Sequence, residues 1–143
     1  MSDPALMKTS DGRFGYEAAG NPALPPLLFL HGIGGAARAW RGQLEVFGGR
    51  YRAIAWDMPG YGGSAPLAAV SIAALAGAVR DFLRQVGATK PTLVGHSIGG
   101  MIVQQLLATS PCLPTTTENC HPLCPGEVGV EREVSHDGFQ TDA

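Results

Sequence analysis

Up to Pro111 the apolar positions fall into two alternating kinds of run, short blocks and helical stripes; after Pro111 they fall into neither. Gly12 to Ala19 reads as a short, outer strand. Leu27-Leu28-Phe29-Leu30, placed after Pro25-Pro26 and before glycines, has the unbroken apolar character of a buried strand. Ala36 to Phe47 can be helical, and Tyr51 to Trp56 predicts the next strand, with Ile54 and Trp56 on one face. From Ile72 to Val86 the residues Ile72, Leu75, Val79, Phe82, Leu83 and Val86 follow helical spacing, with Ser71 as N-cap and Gly87 just past the end. Thr92-Leu93-Val94 is a short strand, and Gly99 to Thr109 a helix that Pro111 closes. Strands alternating with helices predict an α/β domain: a mainly parallel sheet with helices on both faces. No internal repeat is present.

The chain changes character at Pro111–Cys112. Residues 1–111 carry nine Lys/Arg and six Asp/Glu, a net of +3; residues 112–143 carry one Arg and six acids, a net of −5. All three cysteines, Cys112, Cys120 and Cys124, lie in this second part, along with Pro114, Pro122 and Pro125. Val128, Val130 and Val134 alternate, but they make at best one isolated strand. Residues 1–111 are therefore read as one packed unit and 112–143 as an irregular tail, disordered or frameshifted.

Composition narrows the class. The 143 residues are 45% apolar and 15% charged, which excludes a wholly disordered chain. No apolar run approaches the ~20 residues of a membrane span. Met1-Ser2-Asp3-Pro4 has neither the basic nor the apolar region of a signal peptide, so the expected location is cytoplasmic. A net charge of −2 gives no reason to expect a nucleic-acid partner.

Three loops, each after an expected strand, hold the candidate chemistry. Gly95-His96-Ser97-Ile98-Gly99-Gly100 fits G-x-S-x-G, in which a serine sits on a sharp strand-to-helix turn with its hydroxyl exposed. Side chains at 95 and 99 would meet neighbouring backbone. The Ile98 amide, at the helix start, then faces a developing oxyanion. His31-Gly32-Ile33-Gly34-Gly35 can supply a second such amide, that of Ile33. Asp57-Met58-Pro59-Gly60-Tyr61-Gly62-Gly63-Ser64 is the third loop. His31 and His96 flank their motifs and are expected to hydrogen-bond locally. Asp57 is expected to anchor its loop, and Trp40, Trp56 and Met101 to belong to the core or a pocket wall.

Spacing admits a rival. Gly32-x-Gly34-x-x-Ala37 also fits a dinucleotide fingerprint, and Asp57 falls where a ribose-binding acid would stand. That reading leaves Gly95–Gly100 and Asp57–Ser64 unexplained.

Taken together, from about residue 12 to Pro111, the three loops resemble the α/β-hydrolase fold family in order and spacing, closest to its small esterase, lactonase and carbon–carbon hydrolase branches. The resemblance implies Ser97 as nucleophile, the amides of Ile33 and Ile98 as oxyanion hole, and Gly32, Gly95 and Gly99 as the loop and elbow glycines. It implies a small-molecule acyl substrate, with no metal or organic cofactor. Relatives that open epoxides or remove halide have an aspartate at the elbow, and Ser97 argues against that chemistry.

The resemblance stops at Pro111. An acid and a histidine should follow the serine on later strands, and no such strands are legible. His136 and Asp137 are adjacent, which disfavours an orienting pair, and His121 stands in a Pro-rich stretch. Cys112, Cys120, His121 and Cys124 match no common zinc spacing. The expectation is the N-terminal half of a hydrolase with a foreign C-terminus, weakly active or inactive. The alternatives are a catalytically dead fragment or interaction module and, further off, a dinucleotide-binding Rossmann-like domain. The Thr92–Val94 strand would be left as an open edge through which copies could associate.

Overall fold

Of the chain, the computed structural model describes residues 6–109. The tail, with its cysteines, His121, His136 and Asp137, lies outside them, as does the boundary at Pro111. The described strands are β1 (Leu6–Lys8), β2 (Gly15–Ala19), β3 (Pro26–Leu30), β4 (Arg52–Trp56) and β5 (Thr92–Gly95). They form one sheet in the order β1-β2-β4-β3-β5. Pairing is parallel between β3 and both β4 and β5, and antiparallel at β1–β2 and β2–β4. The sheet is thus mixed, with a parallel part that carries the site.

The sheet is apolar on both faces because each face has a helical cover. On one side Leu28, Leu30, Ile54, Trp56 and Leu93 pack beneath α2 (Ile72–Val86) and α3 (Ile98–Thr109). On the other, Leu27, Phe29, Ala53 and Ala55 meet a four-residue 3-10 turn, Ala37–Trp40, and α1 (Arg41–Phe47). Register aligns these rows: Leu28 is opposite both Ile54 and Leu93, and Phe29 opposite both Ala55 and Val94. The small alanines of β4 leave room for Leu44 and for Trp40, which stacks on Phe29 at 4.9 Å between ring centroids.

The clearest helical stripe yields the clearest helix. α2 spans the expected residues. The Ser71 hydroxyl accepts from the Ala74 amide at 3.0 Å, and Gly87 ends the helix at φ 65°. Its Phe82 is fully buried against Phe14, Tyr16 and Trp56, with centroids 5.5–5.9 Å away.

Two expectations are corrected. The strand expected from Gly12 begins at Gly15, because residues 9–14 form a turn: the Thr9 amide donates to the Phe14 carbonyl at 2.9 Å and Gly12 adopts φ 73°. The helix expected over Ala36–Phe47 divides into the 3-10 turn and α1, since Trp40, at φ −98° and ψ 7°, departs from the α path between them. β1, which completes a hairpin with β2, was not anticipated; its three exposed residues carry no apolar alternation. Among the described residues, no helix is long and apolar enough to cross a membrane.

Candidate active site

Because β3 and β5 are parallel neighbours, their C-terminal loops leave the sheet side by side, with Leu30 opposite Gly95. The His96 amide donates to the Leu30 carbonyl at 3.0 Å, and the chain then turns sharply into α3. Ser97 makes this turn at φ 55°, a left-handed conformation that costs a residue with a Cβ roughly 1–2 kcal/mol. The two elbow glycines relieve the crowding. A Cβ on Gly95 would stand 2.5 Å from the Gly100 nitrogen and from the Gly99 carbonyl, and one on Gly99 would overlap the Leu30 carbonyl oxygen. Ser97 is exposed, and no described residue hydrogen-bonds its hydroxyl. The Ile98 amide opens α3 and donates to no described residue, whereas the next three amides bond back to the His96 and Ser97 carbonyls.

The loop after β3 stands against this elbow. A Cβ on Gly32 would lie 3.0 Å from the Ser97 Cβ and 3.3 Å from the His96 Nδ1. Gly32 to Gly35 form a tight turn: the Gly35 amide donates to the Gly32 carbonyl at 3.0 Å, and Gly34 supplies φ 78°. Ile33, at the turn's first corner, is 76% exposed, and its amide has no described acceptor. The structure therefore brings Gly32, Gly95, Ser97, Ile98 and Gly99 together, with Ile33 adjoining them.

The Asp57–Ser64 loop holds the loop after β3 in place. Asp57 is buried; its carboxylate accepts the Ala37 amide at 2.8 Å and the Gly63 amide at 2.9 Å. The Ser64 hydroxyl donates to the Asp57 carbonyl at 2.5 Å and accepts from the Gly15 amide at 3.0 Å. With both its oxygens engaged by backbone amides, Asp57 is a structural anchor and not a receiver of ribose hydroxyls. The 3-10 turn after the glycines likewise lacks the long helix whose N-terminus a dinucleotide needs. The Rossmann reading is set aside on both grounds.

His31 bonds locally, as expected, through its Nδ1 to the Gly32 carbonyl at 2.8 Å, but its Nε2 also accepts a distant bond, from the Met58 amide at 3.0 Å. The His96 ring differs, being exposed and without a hydrogen bond to any described residue. Trp56 belongs to the core under α2 and α3 and Trp40 stacks on Phe29 in the core of the other face, while Met101 is 53% exposed on the first turn of α3. Two links were illegible in the sequence: His31 to Met58, and buried Glu17 with both oxygens on the Arg41 guanidinium at 2.8 and 2.9 Å. Each joins residues more than 20 positions apart, with no motif between them. No described carboxylate or imidazole pairs with Ser97.

Residues 25–116 match the family model described as the alpha/beta hydrolase fold. The chain belongs to the alpha/beta hydrolase fold family. Within the family, mouse epoxide hydrolase 4 is 38% identical over 112 residues, covering 71% of this chain and 31% of the relative. The dihydrolipoyllysine-residue acetyltransferase component of the acetoin cleaving system of Cupriavidus necator is 38% identical over 86 residues, covering 59% of this chain and 23% of that protein. A bacterial membrane phospholipase A superposes with a TM-score of 0.68 at 27% identity, over 76% of this chain and 36% of the phospholipase. The chain thus spans about a third or less of the length of these family members.

Proposed function

We propose that this chain carries the nucleophile and oxyanion site of a serine hydrolase acting on small esters, lactones or related acyl compounds. Ser97 at the strained elbow is the observation that carries the reading. The relatives span two chemistries, epoxide opening and acyl transfer or cleavage by their names, and the nucleophile separates them. A serine attacking the saturated carbon of an epoxide would leave an alkyl ether on the enzyme, which water does not cleave. A serine attacking a carbonyl leaves an ester, which water does. A hydroxyl at position 97 therefore suits an acyl substrate.

In this mechanism the Ser97 Oγ bonds to the carbonyl carbon and gives its proton to a base. The carbonyl oxygen becomes an oxyanion facing the Ile33 and Ile98 amides. The bond to the leaving oxygen breaks as that oxygen takes up a proton. Water then attacks the acyl-serine by the same route in reverse, releasing the acid. The base is supplied from outside the described residues, by this chain or by another. A second reading, a catalytically dead scaffold, is favoured by one observation: Ser97 has no described partner to take its proton. Turnover of p-nitrophenyl acetate by the purified chain, beside Ser97→Ala, tests the proposal. Turnover lost in the variant supports the hydrolase, and equal rates from two folded proteins support the scaffold.

A further inference from the structure

The peptide unit between Gly32 and Ile33 is gripped at its carbonyl end. The Gly32 oxygen accepts from the Gly35 amide at 3.0 Å and from His31 Nδ1 at 2.8 Å. The tautomer follows from the partner on the other side of the ring. The Met58 amide can only donate, so Nε2 is the bare nitrogen and Nδ1 carries the hydrogen. The ring is 2% exposed, so water does not compete for these bonds. In a trans peptide the C=O and N–H point in opposite directions, and the described chain has no cis peptide. Fixing the Gly32 oxygen therefore fixes the direction of the Ile33 N–H.

We infer that His31 is a positioning residue: the hydrogen on its Nδ1, set there by the Met58 amide at Nε2, holds the Gly32 carbonyl and so aims the Ile33 amide. That amide donates to no described residue and belongs to a turn seated on Ser97, with a Cβ on Gly32 falling 3.0 Å from the Ser97 Cβ. The neighbouring Asp57 holds the far end of the same loop through Ala37. Two consecutive residues after β4 thus clamp the oxyanion loop at both ends. The catalytic consequence rests on the serine-hydrolase reading, whereas the orientation of the amide does not.

The test uses two substitutions that each keep half of the imidazole. An asparagine amide reproduces the Nδ1 donor to Gly32, and a glutamine oxygen reproduces the Nε2 acceptor from Met58. In the full wild-type chain, ¹⁵N shifts of His31 are expected to show hydrogen on Nδ1, and the Ile33 amide proton is expected to give a nuclear Overhauser contact to the Ser97 β protons. His31→Asn keeps that contact and keeps the rate of Ser97 phosphonylation by a fluorophosphonate within about tenfold. His31→Gln loses the contact and about 10²–10³-fold in rate, the loss typical of one oxyanion donor. Hydrogen on Nε2 in the wild type, or the contact retained by Gln and lost by Asn, would overturn the inference. The same holds if both variants keep it. If no protein is phosphonylated but the contacts follow the expected order, the hydrolase reading fails and the positioning role stands.

Discussion

At the scale of single residues, the elbow glycine Gly99 and the glycine facing it from the loop after β3, Gly32, meet two different demands. Gly99→Ala would drive a methyl into the Leu30 carbonyl, a backbone atom that cannot step aside. It is expected to destabilise the chain by about 3 kcal/mol, measured as a shifted urea midpoint at unchanged slope. Gly32→Ala brings its methyl only to 3.0 Å from the Ser97 Cβ. The loop can yield there by a few tenths of an ångström, moving the Ile33 amide from its aim. Its expected signature is a fall in kcat, with a melting temperature close to wild type. Both positions stand in a motif, so their importance was legible. The role of His31 was not: pattern places it beside the loop glycines, but only the fold brings the Met58 amide to its ring.

Among elements, legibility followed the strength of the apolar period. α2 could be read to the residue because its stripe, its serine cap and its terminal glycine agree. β1, three exposed residues long, had no such signal, and its pairing with β2 depends on a turn built by Thr9 and Gly12. The segment from Ala36 to Phe47 reads as one helix because periodicity does not register the break at Trp40. The packing of α2 makes a graded prediction. Phe82→Ala removes a fully buried ring from the cluster of Phe14, Tyr16 and Trp56 and should cost about 3–5 kcal/mol. Ser71→Ala removes only an exposed cap and should cost about 1 kcal/mol. Equal effects in denaturant titrations would contradict this account of what holds the helix.

At the scale of the whole molecule, the fold explains why the site can be built from so short a stretch of the family. The proposed nucleophile, Ser97, and the two proposed oxyanion amides, those of Ile33 and Ile98, lie on loops after β3 and β5, which are adjacent in the sheet, and the loop after β4 braces the one after β3. Among the described residues, none hydrogen-bonds the Ser97 hydroxyl. Among the described residues β5 pairs only with β3. Its open side carries the proposal of self-association, so the sedimentation coefficient of the full chain is expected to rise with concentration; a single monomeric boundary throughout would contradict it. Site mapping tests Ser97 as the proposed nucleophile: the full chain is treated with a fluorophosphonate and its peptides are analysed by mass spectrometry. One phosphonyl group on Ser97, absent from a folded Ser97→Ala variant, is the expected result. A folded wild-type chain left unmodified at Ser97 would contradict it.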